Sequence, residues 1–155
     1  MKRVRSTAIL VAVVAGSLTA VSVNGAEQSI KQLMGDNFAG LQTILVALIH
    51  SDYTNIPAQA DVIRDHATRL TKEPPASAQM DKDKFLALAF ALKTDAESLK
   101  SISEILIKHD KEQMAKSGNI LGDEELRDAL AAHYGGMVVT CVTCHSEFRH
   151  RKITP

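Results

Sequence analysis

Apolar residues return every three or four positions through most of this 155-residue chain. That period belongs to helices with one buried face and argues against a sheet, whose side chains repeat every two. The first stripe is Ile30, Leu33, Met34, Phe38, Leu41, Leu45, Leu48 and Ile49. Gly35 and Gly40 weaken it by up to about 1 kcal/mol each relative to Ala, so packing rather than propensity has to hold this helix. Pro57 suits a first helical position and opens a shorter stripe of Val62, Ile63, Ala67 and Leu70. The adjacent Pro74 and Pro75 predict a loop over residues 71–79. A third pattern starts around Asp81 and runs through Phe85, Leu88, Leu92, Ala96, Leu99, Ile102 and Leu106 to His109, towards Met114. Gly118 and Asn119 supply the left-handed conformations that end helices, and Asp123 reads as the N-cap of a fourth stripe. That stripe is Leu126, Ala129, Leu130, His133, Met137, Cys141, Cys144, His145 and Phe148, interrupted at Gly135-Gly136. Four stripes with short connections predict an all-α chain folded as an antiparallel four-helix bundle.

The start of the chain follows a different rule. Lys2, Arg3 and Arg5 precede an apolar run from Ala8 to Leu18 and then small polar residues up to Ala26. This is the pattern of a secretory signal peptide over residues 1–25, with cleavage after Gly25 or Ala26 and a domain over residues 26–155 outside the cytoplasm, in the periplasm. The apolar run of about eleven residues is well short of the roughly 20 that span a bilayer. No later stretch is both long and free of charge, so no membrane span is expected after cleavage. Of 18 Lys+Arg and 18 Asp+Glu, removal of three basic residues leaves 15 against 18, a net of −3. With no basic stripe to neutralise phosphates, nucleic-acid binding is not expected. Aromatic residues make up only 4% and Trp is absent, so aliphatic side chains, or a group the chain does not encode, must fill the core.

Both cysteines fall in one motif, Cys141-Val142-Thr143-Cys144-His145. At about 100° per residue, positions 141, 144 and 145 lie on one side of a helix. Two thiols can then add to the two vinyl groups of a haem while the imidazole reaches its iron from the same side. A disulfide across three helical residues is sterically poor. A dithiol redox pair uses this spacing at the start of a helix in a strand–helix–strand unit, which this chain lacks. A zinc site needs ligands from a second pair, and there is none. The motif therefore predicts one covalently bound haem c, with Cys141 and Cys144 as its attachment points and His145 on iron. Met137, eight residues before His145 on the same helix, lies about 12 Å away along the axis and cannot reach the opposite face. Met80 and Met114 read as gap-fillers.

The stretch Cys141-Val-Thr-Cys144-His145-Ser-Glu-Phe148-Arg149 resembles the cytochrome c′ family of four-helix-bundle c-type cytochromes, and Leu33-Met34-Gly35-Asp36-Asn37-Phe38 resembles its first helix. The resemblance implies that His145 is the proximal ligand and that the opposite haem face looks onto the first helix. In the low-spin branch a methionine there binds iron, a role that falls to Met34. In the high-spin branch an apolar residue about one turn earlier covers an open iron that takes nitric oxide or carbon monoxide, a role that falls to Ile30. Arg149, one helical turn after His145, then belongs beside the proximal pocket, where it shapes proximal chemistry, contacts a propionate or compensates the helix dipole.

Two functions follow as expectations: an exported carrier of single electrons that works with redox partner proteins, or a gas-binding protein with an open iron. An enzyme is not expected, because peroxidase chemistry needs a distal acid–base group and the first stripe offers none near Met34. A thioether ligand would raise the reduction potential and block added ligands. Apolar residues on a second face of the first helix, Ile44 and Val46 among them, permit a homodimer.

Overall fold

A computed structural model describes residues 30–116 and 123–148. These residues form four helices and no strand: α1 (Ile30–His50), α2 (Ile56–Lys72), α3 (Lys82–Lys116) and α4 (Glu124–Phe148). The expected signal peptide over residues 1–25 and the expected stop at Gly118-Asn119 lie outside the described residues. No helix among the described residues is long and apolar enough to cross a membrane.

Helix α1 ends because Ser51 takes a left-handed conformation, φ 54°, and the chain folds back through Asp52 N–H donating to the Ala47 carbonyl at 3.0 Å. The Asp52 carboxylate then accepts from Thr54 N–H and Thr54 Oγ1, at 3.2 and 2.6 Å, and starts a single 3₁₀ turn, Tyr53–Asn55. Pro57 sits in the first turn of α2, where a missing N–H costs nothing. The expected loop over residues 71–79 is shorter than its two prolines suggested. Thr71 and Lys72 still belong to α2, and Ala76–Asp81 forms a 3₁₀ helix that buries Ala78 completely.

Helix α2 packs along α3, α3 along α4 and α1 along α2, while α1 and α4 touch sparingly. The faces match the stripes in part. Leu33, Asn37, Gly40, Leu41, Ile44 and Ala47 form the buried side of α1, whereas Phe38, Leu45 and Ile49 of the same stripe are exposed. In α2, Ile56, Ala60, Ile63, Ala67 and Leu70 are buried and Val62 is not. The glycine pair does not interrupt α4. A Cβ on Gly136 would come within 2.6 Å of Asp95 Oδ2, so the missing side chain lets this α3 carboxylate lie against α4. Asp95 Oδ1 also bonds His133 Nδ1 at 2.9 Å, tying the same two helices together.

The core comes in two parts. The larger joins Leu41, Ile44, Ile63, Leu99, Leu130 and Met137 across all four helices. The smaller joins Leu33, Leu70, Ala78, Phe85, Ala89 and Phe148. Their boundary falls at the cysteines: Cys141 packs against the larger cluster and Cys144 against the smaller.

A candidate haem groove between the first and last helices

The end of α4 that carries the motif is pinned to α3. Phe148 meets Phe85 edge to face, with ring centroids 5.4 Å apart and planes at 87°. Lys84 Nζ lies 2.8 Å from Glu147 Oε1 beside them. With this face of α4 fixed on α3, Cys141, Cys144 and His145 turn to the seam that α1 leaves open. His145 is exposed, and both thiols are half-buried and free.

Three cavities occupy the seam, and Met34 and His145 line all of them. The largest, about 480 Å³, runs between α1 and α4, with Phe38, Leu45, Val138 and Val142 on its walls. A second, about 360 Å³, adds Ile30, Cys144 and Phe148 at the end of the molecule. A small space of about 30 Å³ is lined by Met34, Leu70, Phe85, Leu92, Cys141 and Cys144, at the split in the core. The two larger volumes are in the range of small-molecule and cofactor sites. A groove of about 530 Å³ at the other end of α1, with His50 and Asp52 on its rim, includes no residue of α4 and is unrelated to the thiols.

Burial pushes the Cys141 thiol up to about 11, with the neighbouring Cys144 adding to the shift, and burial also raises Cys144. Both are therefore neutral thiols near pH 7, the reverse of the lowered values that mark redox-active dithiols. Among the described residues, no three His, Cys, Asp or Glu side chains form a group able to hold a metal ion. A zinc cage needs such convergence, whereas thioether attachment does not, because the sulfurs bond to porphyrin carbons.

The sequence-derived residues divide clearly. Cys141, Cys144, His145 and Met34 come together, and Ile30, 41% exposed, lies on the rim one turn before Met34. Arg149 lies outside the described residues. Met137 is fully buried in the larger cluster, and Met80 is exposed at 77%. His109 bonds the buried carboxylate of Asp123 at 2.9 Å, and the Asp123 carbonyl accepts from Arg127 N–H at 3.0 Å at the start of α4. Ile44, expected on a second, dimer-permitting face, is fully buried, because its side chain belongs to the larger core cluster; Val46 is 55% exposed.

The stripe reading missed Asn37. It stands among Leu33, Gly40 and Leu41 on the buried side of α1, is only 4% exposed, and lines two of the three cavities. His66 of α2 meets it, Nδ1 to Oδ1, at 2.7 Å. A carbonyl oxygen only accepts, so His66 Nδ1 carries the proton, and burial lowers the His66 pKa and keeps the ring neutral. Asn37 Nδ2 has no hydrogen-bond partner among the described residues. Such a buried donor left unsatisfied costs about 1–3 kcal/mol. The available signal was a polar residue four positions after Leu33 and four before Leu41, at the centre of an apolar face.

No family model matches this chain, and neither a curated protein nor a solved structure matches it.

Proposed function

We propose that this chain is an exported c-type cytochrome, an antiparallel four-helix bundle that carries single electrons on one haem. Cys141 and Cys144 would tether the haem, with His145 and Met34 as axial ligands. The observation that carries the reading is the shared wall: a thioether from α1 and an imidazole from α4 line all three cavities of the seam, and the two thiols of α4 line two each, at the place where the core is split. The residues fit the group chemically. The thiols are neutral, the walls are largely apolar, and no Asp, Glu, Lys or Arg occurs from Asn37 to Ser51 on the α1 side or from Ala129 to Ser146 on α4. Bound there, a haem supplies an iron that accepts and returns one electron.

The chain's own residues account for the rest. Cys141 and Cys144, half-buried and anchored in separate clusters, fix the attachment edge. The Phe85–Phe148 contact and the Lys84–Glu147 pair hold the His145 turn in place. Met34, packed beside Leu33 and Phe85, offers a soft sulfur that favours the ferrous state and excludes added ligands. A carrier needs no acid–base group beside the metal, only fixed ligands and an accessible edge, and His145 is exposed. Transfer then takes place with redox partner proteins at the α1–α4 seam.

A second reading rests on Ile30, which shares the outer cavity with Met34, Cys144 and His145. If Ile30 covers an open iron, the protein binds nitric oxide or carbon monoxide. Absorption spectra of the haem-loaded protein in both oxidation states, with and without carbon monoxide, decide between the two. The carrier reading predicts a thioether-to-ferric charge-transfer band and indifference to carbon monoxide, with both properties lost in Met34→Ala. A Met34→Ala spectrum identical to wild type contradicts methionine ligation, and immediate carbon monoxide binding by wild type supports the Ile30 reading.

A further inference from the structure

Three polar residues are buried among the described ones: Asn37, Ser103 and Asp123. Ser103 donates to the Lys100 carbonyl at 2.8 Å, and Asp123 is paired with His109. Asn37 differs from both, because its oxygen is satisfied by His66 and its Nδ2 finds no partner among the described residues. The residue follows Met34 by three positions and so shares its side of α1, and it lines the cavities shared by Met34, Cys141 and His145. His66, reaching across from α2, takes one end of the amide and thereby fixes the orientation of the other.

We infer that the Asn37 amide, oriented by His66, donates a hydrogen bond to a carboxylate oxygen of the haem, making Asn37 a positioning residue for a propionate. The inference rests on the haem reading above. Pyrrole nitrogens are committed to the metal and thioether sulfurs are weak acceptors. The acceptors a haem brings are therefore its propionate oxygens and, where the sixth position is open, a ligand on iron. With Met34 in that position, the carboxylate is the acceptor that is left. Lys31 lines the outer cavity at the start of α1, but neither wall carries Lys or Arg between Asn37 and Ser51 or between Ala129 and Ser146, so a carboxylate that reaches the part of the groove beside Asn37 meets a neutral donor there.

Resonance Raman spectra of the haem-loaded protein test the assignment. The propionate bending band should shift to lower frequency in Asn37→Leu and in His66→Leu, and should return to its wild-type position in His66→Gln, which restores a donor to Asn37 Oδ1. Axial-ligand bands should stay in place throughout. An unchanged propionate band in Asn37→Leu with a full complement of haem overturns the inference, while failure of wild type to acquire haem overturns instead the reading beneath it. If Asn37→Leu does not fold, the ferrous wild type decides alone. A nuclear Overhauser contact between the Asn37 side-chain amide protons and the propionate methylene protons is expected, and its absence overturns the inference. In the Met34→Ala background with carbon monoxide bound, a carbonyl stretch that moves with Asn37→Leu while the propionate band stays fixed would assign the amide to an iron ligand and overturn the carboxylate assignment.

Discussion

Gly136 shows how one absent side chain sets the presentation of the motif. The Asp95 carboxylate occupies the space a Cβ would need, 2.6 Å from Oδ2, and from there bonds His133. Gly136→Ala must turn this carboxylate aside at the expense of its bond to His133, and we expect it to leave the protein less stable than Gly135→Ala by about 1 kcal/mol in chemical denaturation. Gly135 meets nothing within 4 Å, so Gly135→Ala should leave stability unchanged or raise it slightly. Equal effects at the two positions would contradict the close-approach explanation. In sequence the two glycines are indistinguishable and read as a break; what separates them is a carboxylate 41 positions from Gly136, a tertiary fact that no local pattern contains. Asn37 poses the same problem in reverse: its burial depends on a histidine supplied by α2, 29 positions away.

At the scale of elements, helix existence and order were legible because burial on one face imposes a period of 3.6 wherever the chain packs. The identity of the buried face was less so. On α1 apolar residues occur on two faces, one against α2 and the other along the groove, and a single stripe merges them. The α2–α3 pairing, by contrast, rests on both apolar and ionic contacts. Lys100 Nζ lies 2.7 Å from Asp61 Oδ2, and this hydrogen bond, with help from Arg64, holds the Asp61 pKa below its ordinary value against the opposing effect of desolvation. A carboxylate whose folded pKa is depressed contributes stability above its unfolded pKa and loses it as pH falls through the folded one. Lys100→Met should therefore cost no more than about 1 kcal/mol near neutral pH, since the pair is partly exposed, and the gap from wild type should close in acid. Denaturation curves across pH check this, and a gap that widens in acid would contradict it.

At the scale of the whole fold, the candidate site lies where the core of the described residues is divided. Leu41, Ile63 and Leu130 belong to one cluster, Leu33, Phe85 and Phe148 to another, and the two thiols lie between them. A group bridging that boundary joins the clusters, so a Cys141→Ser/Cys144→Ser protein made without haem should melt at a lower temperature and bind a hydrophobic dye more strongly than the haem-loaded form. Identical melting and dye binding would mean that the division of the core is unrelated to cofactor binding. The proposed attachment is read from the motif in the sequence. Its position beside Met34, opposite an open seam, depends on α4 being fixed to α3 through Phe148, Glu147 and Gly136.

Intact-mass analysis of the protein exported by cells that assemble c-type cytochromes tests the central claim most directly. The account predicts a chain beginning near Glu27 whose mass exceeds that of the polypeptide by one haem, with neither Cys141 nor Cys144 open to alkylation. A bare polypeptide with two reactive thiols would contradict it.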